Sequence, residues 1–118
     1  MYTVLLVEDE VLVRELASED LADAGFAVTA ANDADEAMEH LNRGAQFDLL
    51  FTDIRMPGAF DGWQLAANAK AMIPGIKVIY ATGLDGAADN LASDERYVRK
   101  PYSLRDLGKA LGDLGFGA

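Results

Sequence analysis

Hydrophobic residues along the chain follow two alternating patterns. Short apolar runs, which are typical of strands buried on both faces, occupy positions 3–7, 26–31, 48–53 and 76–82, and a shorter stretch at 96–100 predicts a fifth strand. Between these runs apolar residues recur at helical spacing, as at Val13, Leu16 and Leu21. This second pattern predicts helices over 10–24, 34–43, 62–73 and 87–92, and a last one after Ser103.

Polar residues, glycines and prolines mark where these elements begin and end. Asp33 and Ser103 stand where a side chain can cap the first turn of a helix, and Gly25 and Gly44 stand where a helix commonly stops. The third helix must end before Pro74, because proline cannot continue a helix.

Strands that alternate with helices predict the α/β class. Right-handed crossovers place helices on both faces of a parallel sheet, and a chain of 118 residues suits one domain. In such a sheet the functional groups gather beyond the carboxyl ends of the strands. The side chains at those ends are Glu8 and Asp9 after the first strand, Asp53 at the third, Thr82 at the fourth and Lys100 at the fifth.

These side chains indicate phosphoryl chemistry assisted by a divalent cation. Three carboxylates close together repel one another unless a cation lies among them, and Mg²⁺ prefers oxygen ligands. With the cation present, a phosphate can approach Asp53, and Lys100 and the Thr82 hydroxyl can hold its other oxygens. Asp53 is then placed as a nucleophile that takes a phosphoryl group.

The overall charge restricts the possible partners. Twenty acidic residues against ten basic ones give a formal charge of −10, which argues against direct nucleic acid binding. The chain has no cysteine, so disulfides and thiolate sites are excluded. No apolar run approaches the roughly 20 residues of a membrane span, and the N-terminus becomes acidic too early for a signal peptide. We therefore expect a cytoplasmic protein without membrane insertion.

Four motifs resemble the receiver domains of bacterial two-component response regulators, and in order they cover nearly the whole chain. They are "LLVEDE", "FTDIRMPG" followed by "DGWQLA", "VIYATG" and "VRKPYS". The resemblance implies the flavodoxin-like, CheY-like three-layer sandwich with strand order 2-1-3-4-5. We expect a single receiver domain over 1–118 without an effector domain, which acts by switching protein contacts and is not an enzyme apart from self-catalysed phosphorylation and dephosphorylation.

The resemblance assigns roles to the residues at the strand ends. Asp53 would be phosphorylated by a histidine kinase or a histidine phosphotransfer protein. Asp9, Asp53 and the backbone carbonyl of Arg55 would bind Mg²⁺ or Mn²⁺, with Glu8 contacting the ion through water. Thr82 and Lys100 would contact the phosphoryl group.

The same resemblance implies a conformational switch. Thr82 would move towards the phosphoryl group and Tyr97 would pack inward. The face formed by the predicted fourth helix, the fifth strand and the last helix would then change its preference for a downstream protein partner. The Lys100–Pro101 peptide bond would be cis, although only about 5–6% of X–Pro bonds in folded proteins are.

The chain departs from the family pattern in two places. The loop from Asp53 to the downstream Asp61–Gly62 pair carries one extra residue, which Gly58 can absorb. The interval from Thr82 to Lys100 is shorter by about one helical turn of roughly four residues, so the helix over 87–92 is expected to be reduced.

Several alternatives stay open at this stage. Glu8, Asp9 and Glu10 could simply cap the first helix, and Asp53 could be a turn residue. The chain could be a stand-alone regulator, a receiver module of a hybrid kinase or a phosphate sink. A small aspartyl-phosphate phosphatase would need a second acid where Arg55 stands. A flavodoxin-like FMN binder would need a phosphate-binding loop where the acids follow the first strand, and a P-loop NTPase would need a P-loop motif that the sequence lacks.

Overall fold

The computed structural model describes residues 1–55, 61–83 and 91–117 and shows a parallel β-sheet with helices packed on both faces. The predicted helix over 87–92 lies, apart from Leu91 and Ala92, outside the described residues, as does Gly58. The elements are β1 (Tyr2–Val7), α1 (Val11–Asp23), β2 (Phe26–Ala31), α2 (Ala34–Asn42), β3 (Leu49–Asp53), α3 (Gly62–Met72), β4 (Lys77–Thr82), β5 (Glu95–Arg99) and α4 (Leu104–Asp113).

The five strands lie in the order β2-β1-β3-β4-β5, and every neighbouring pair is parallel. This confirms the predicted order 2-1-3-4-5. Val7 at the end of β1 pairs with Thr52, and Asp53 at the end of β3 pairs with Ala81 of β4. Glu8 and Lys100, which follow β1 and β5, and Asp53 and Thr82, which end β3 and β4, therefore lie at the same edge of the sheet.

The core consists of two hydrophobic clusters, one on each face of the sheet. Alternation along β1 supplies both, because Leu5 and Val7 point to one face while Val4 and Leu6 point to the other. The first cluster packs the sheet against α2 and α3, and the second packs it against α1 and α4. Burial on both faces explains why the strands read as continuous apolar runs rather than alternating ones.

The predicted caps are present. Asp33 accepts a hydrogen bond from Glu36 N at 2.8 Å, and Ser103 from Asp106 N at 3.1 Å. Asp61 also caps α3 in a reciprocal pair with Gln64. Gly25 and Gly44 follow α1 and α2 with φ of +98° and +86°, a region that L-residues rarely adopt.

Five strand boundaries differ from the predictions by one residue, at the starts of β1, β3, β4 and β5 and at the end of β5, and two of them have identifiable reasons. β3 begins at Leu49 rather than Asp48, because the Asp48 carboxylate accepts the Thr3 N–H at 2.9 Å in place of a backbone carbonyl. β5 ends at Arg99, so Lys100 lies just beyond it, and Pro101 has no N–H to extend the pairing. None of the helices in the described ranges is long and apolar enough to cross a membrane.

Candidate functional site

Three carboxylates from neighbouring strands form an acid cluster at the carboxyl edge of the sheet. Glu8 and Asp9 follow β1, and Asp53 ends β3 beside it. One carboxylate oxygen from each of the three residues lies within 4.8 Å of the others. Glu8 is buried, Asp53 is half-buried and Asp9 is exposed. The strand order therefore brings together the three acids that the sequence singled out.

Lys100 reaches the acid cluster from the end of β5. Its Nζ donates to Asp53 Oδ2 at 2.8 Å and to Glu8 Oε1, so one ammonium bridges the acids that follow β1 and β3. Its backbone N–H donates to Thr82 O at 2.8 Å, which holds the turn against the end of β4. The Lys100–Pro101 peptide bond is cis.

Burial and the neighbouring opposite charge have opposing effects on the pKa values of Glu8 and Lys100. Burial raises the pKa of the Glu8 carboxyl, and the hydrogen bond from Lys100 opposes that rise only in part. Burial lowers the pKa of the Lys100 ammonium, but its hydrogen bonds to Asp53 and Glu8 outweigh this effect and the pKa is raised. Lys100 therefore stays protonated and partly offsets the repulsion among the carboxylates.

The acid loop, residues 8–10, is held mainly through Glu8. The Glu8 backbone N–H donates to Ala31 O at 3.1 Å, and its side chain accepts from Glu10 N at 3.2 Å. Glu10 is the N-cap residue of α1, yet no side-chain hydrogen bond caps the helix there, and Arg14 Nη1 donates to Glu8 O at 2.9 Å. Glu8 and Asp9 therefore belong to the acid cluster, and Glu10 makes no side-chain cap, which argues against the capping alternative.

The remaining predicted site residues are Arg55, which follows β3, Thr82, which ends β4, and Tyr97 within β5. The Arg55 backbone N–H approaches Asp53 Oδ1 at 3.3 Å. Thr82 is buried at the end of β4, next to the residue that pairs with Asp53. Tyr97 is half-buried and lies further back on β5, where it pairs with Tyr80 rather than with a residue at the sheet edge.

Gly62 is a site residue that the sequence reasoning missed. A Cβ at this position would lie 2.1 Å from Asp53 O and 2.9 Å from Ile54 Cα, closer than atoms can approach. The Gly62 N–H also donates to Ile54 O at 2.8 Å. The first residue of α3 is thus packed against the backbone of Asp53, and the Asp-Gly pair that precedes the helix is the signal that could have indicated it.

The acid cluster has the chemistry of a site for a hard divalent cation. Its side-chain donors are all carboxylate oxygens, which is the ligand type that Mg²⁺ and Mn²⁺ prefer. Their separation fits a shared ion that also takes water or phosphate oxygens. Beside these acids, the Lys100 ammonium can contact an anion bound at Asp53.

An exposed apolar surface borders this site. Val11, Leu12 and Leu16 on α1 expose 55%, 74% and 62% of their surface, and together we name them the α1 surface. A groove of about 350 Å³ continues it to the site, lined by Val13, Leu16, Asp20, Lys100, Pro101 and Tyr102. Lys100 lines this groove and also contacts Asp53 of the acid cluster, so a molecule that covers the groove also lies beside the cluster.

Comparison with known proteins gives one consistent family. The response regulator receiver domain family matches residues 4–112. The response regulator receiver protein CpdR of Brucella abortus is 37% identical over 111 residues, which are 91% of either chain. Other relatives are longer, and the chain spans 12% of the sensor kinase CckA of the same organism, with 34% identity over 117 residues.

Solved structures agree with this assignment. A response regulator receiver protein from Sinorhizobium medicae superposes with a TM-score of 0.86 and 35% identity, over 96% of this chain and 93% of that one. The response regulator TrrA of Thermotoga maritima, solved in complex with Mg²⁺-BeF, superposes with a TM-score of 0.82 and 28% identity, over 97% of this chain and 99% of that one.

Proposed function

The chain belongs to the response regulator receiver family of two-component signal transduction, and from this membership we propose that Asp53 accepts a phosphoryl group from a histidine kinase or a histidine phosphotransfer protein. The observation that carries the proposal is the contact of Lys100 Nζ with Asp53 Oδ2 at 2.8 Å inside a cluster of three acids. Asp53 exposes 15% of its side chain, so it is reachable from solvent yet held in place.

The proposed reaction is a displacement at phosphorus. An Asp53 carboxylate oxygen attacks the phosphorus of a phosphohistidine, the P–N bond breaks, and the imidazole leaves with its electron pair. The product is an acyl phosphate on Asp53. Lys100 and the Thr82 hydroxyl contact the phosphoryl oxygens, and their positive or partly positive charge stabilises the transition state. Self-catalysed hydrolysis of the acyl phosphate by water returns the carboxylate.

We propose that the acid cluster holds Mg²⁺ or Mn²⁺ during this reaction. Asp9, Asp53 and the backbone carbonyl of Arg55 are the direct ligands, and Glu8 contacts the ion through water. The all-oxygen ligand set supports this proposal. A divalent ion supplies the positive charge that lets a phosphate approach Asp53.

The output of the proposed switch is a change in protein contacts at the face formed by β5 and α4. Tyr97 borders a groove of about 470 Å³ there, together with Arg96, Arg99 and Lys109. Movement of Thr82 towards the phosphoryl group and inward packing of Tyr97 alter this groove. A ligand shifts such an equilibrium only if it interacts differently with the two states, and the phosphoryl group does so through Thr82.

The α1 surface is the proposed contact for the phosphodonor. A donor must bring its phosphohistidine to Asp53, so it must cover what surrounds that residue. Three exposed apolar side chains on one helix, continuous with the groove at Lys100, provide such a contact.

Incubation with acetyl phosphate and Mg²⁺ tests the phosphoacceptor. We expect intact-mass measurement to show one added phosphoryl group on the native chain and none on Asp53→Asn or after chelation of Mg²⁺. Asp23→Asn is the matched control, because Asp23 is exposed at the end of α1 that lies away from the site. Labelling of Asp53→Asn to the native level would contradict the proposal.

A further inference from the structure

Arg14 on the second turn of α1 touches the acid loop without belonging to the acid cluster. Its Nη1 donates to the backbone carbonyl of Glu8 at 2.9 Å, and the side chain is half-buried. This carbonyl belongs to the peptide group that joins Glu8 to Asp9, two of the three clustered acids. A single guanidinium therefore connects the body of α1 to the backbone that carries both loop acids.

The acid loop needs such a connection because the usual anchor is absent. The N-cap residue Glu10 makes no side-chain cap, and no acid occupies the first turn of α1. The other described contacts of Glu8 include its backbone bond to Ala31, its side-chain contact with Asp9, the bond between its side chain and Glu10 N, and its ion pair with Lys100. The last of these must rearrange when Lys100 turns to a phosphoryl group. Arg14 is bound to a backbone atom, so its contact can persist throughout.

We propose that Arg14 is a positioning residue that holds the Glu8–Asp9 backbone in the geometry required to bind a divalent cation. The inference rests on the proposed Mg²⁺ site and deepens it. The guanidinium hydrogen bond fixes the carbonyl of Glu8 and thereby the direction in which the Asp9 side chain leaves the loop. Residues behind metal ligands commonly contribute about 10- to 100-fold to metal affinity in this way.

Two roles for Arg14 predict opposite results. If Arg14 acted only through its charge, its removal would strengthen Mg²⁺ binding, because a positive group near the site repels the cation. If it acts by holding the loop, its removal must weaken Mg²⁺ binding, because the loop acids then have to be ordered when the ion binds. The sign of the change in affinity therefore distinguishes the two roles.

The test is a calorimetric titration of the phosphate-free protein with MgCl₂. We expect Arg14→Met to bind Mg²⁺ about tenfold more weakly than the native chain. We expect Arg14→Lys, which keeps the charge and can donate one hydrogen bond, to lie between them. Arg43→Met is the matched control, because Arg43 is exposed after α2, at the opposite edge of the sheet, and we expect it to bind Mg²⁺ as the native chain does.

Amide hydrogen exchange provides a second readout that needs no metal. In Arg14→Met we expect faster exchange at Glu10, whose N–H is bound to the Glu8 side chain, while β3 and β4 keep native protection. Equal or tighter Mg²⁺ binding by Arg14→Met, or an equal loss in Arg43→Met, would overturn the positioning role. Failure of the native chain to bind Mg²⁺ would instead remove the proposed metal site itself, so the two failures are distinguishable.

Discussion

Lys100 is the residue on which the charge balance of the acid cluster depends. Its ammonium contacts Glu8 and Asp53 at once, and these acids come from positions far apart in the sequence. Because its pKa is raised, Lys100 stays charged throughout the neutral range and offsets part of the repulsion among the acids. The same ammonium can turn to a phosphoryl group on Asp53, so it serves the resting and the proposed phosphorylated state.

Gly62 supports Asp53 through close backbone contact, and this gives a prediction at the residue scale. We expect Gly62→Ala to lower the free energy of unfolding by about 1–3 kcal/mol, because the new methyl group forces Asp53 or α3 to move. We also expect slower labelling by acetyl phosphate, since the carboxylate of Asp53 shifts with its backbone. Urea unfolding and intact-mass time courses measure the two effects.

Gly108→Ala is the matched control for this substitution. Gly108 lies inside α4, and a Cβ there meets nothing within 4 Å. Alanine is favoured over glycine in a helix interior by roughly 0.5–1 kcal/mol, so this variant should be as stable as the native chain or slightly more stable. Native stability and native labelling in Gly62→Ala would show that the close approach is not required.

A polar network joins three elements on the α3 face of the sheet. Tyr80 of β4 donates its hydroxyl to Glu95 of β5 at 2.8 Å, and Lys70 of α3 contacts both Glu95 and Asp94 at 2.9 Å. The Tyr80 ring also packs against Trp63 at 4.2 Å between centroids. The network connects α3, whose first residue touches Asp53, to the start of the strand that carries Tyr97.

This network predicts how stability depends on pH at the scale of the elements. The hydrogen bond from Lys70 lowers the pKa of Asp94. Burial alone would raise the pKa of Glu95, but hydrogen bonds from Ala92 N, Lys70 and Tyr80 outweigh burial, so the pKa of Glu95 is lowered as well. Both acids therefore bind protons more readily in the unfolded chain. The contribution of this network to stability should be present in full above about pH 5, which exceeds the ordinary pKa values of both acids, and be lost as the pH falls through their lowered pKa values in the folded chain.

Lys70→Met tests the origin of this pH dependence. We expect a loss of about 1–3 kcal/mol at neutral pH, because Glu95 and Asp94 lose their charged donor, and a flatter decline of stability in acid. Lys109→Met is the control, since the Lys109–Asp113 pair is exposed and such pairs contribute little. Urea unfolding at several pH values gives both quantities, and an unchanged acid profile in Lys70→Met would contradict the assignment.

The molecule as a whole places its candidate chemistry and the α1 surface at the same edge of the sheet. The acid cluster, Lys100 and the α1 surface all lie at the carboxyl ends of the strands. The formal charge of −10 is spread over the chain and attracts divalent cations in general. What makes this edge specific is a cluster of three acids, two of which the Lys100 ammonium bridges, beside an apolar contact surface.

The position of the α1 surface predicts a difference between small and protein donors. We expect Leu12→Glu to slow phosphoryl transfer from a phosphorylated histidine kinase or phosphotransfer protein by at least about tenfold, since it places a charge in a desolvated contact. Labelling by acetyl phosphate should keep its native rate, because that donor needs no protein surface. Radiolabel transfer measures the first rate, and intact mass the second.

Met72→Glu is the control for the substitution in the α1 surface. Met72 is 40% exposed at the end of α3, on the opposite edge of the sheet, so a charge there should leave both rates unchanged. Equal transfer rates from a protein donor to the native chain and to Leu12→Glu would exclude the α1 surface as the donor contact.

The sequence by itself determined the local structure and the choice of chemistry. Apolar runs marked the strands to within about one residue, because both faces of the sheet are buried. Asp33 and Ser103 marked helix starts, because a capping side chain accepts a hydrogen bond from a backbone N–H three residues further on. The position of each acid at or just after the end of a parallel strand, together with the strand order that the family resemblance implies, predicted that Glu8, Asp9 and Asp53 would meet.

Only the tertiary structure decided how these groups are held. The bridge from Lys100 to Glu8 and Asp53, the bond from Arg14 to Glu8 O, and the approach of Gly62 to Asp53 each join residues from separate elements. No local pattern encodes such contacts, because they depend on distances that strand order and helix packing set. The sequence thus specified which charges gather at the sheet edge, and packing specified which of them touch.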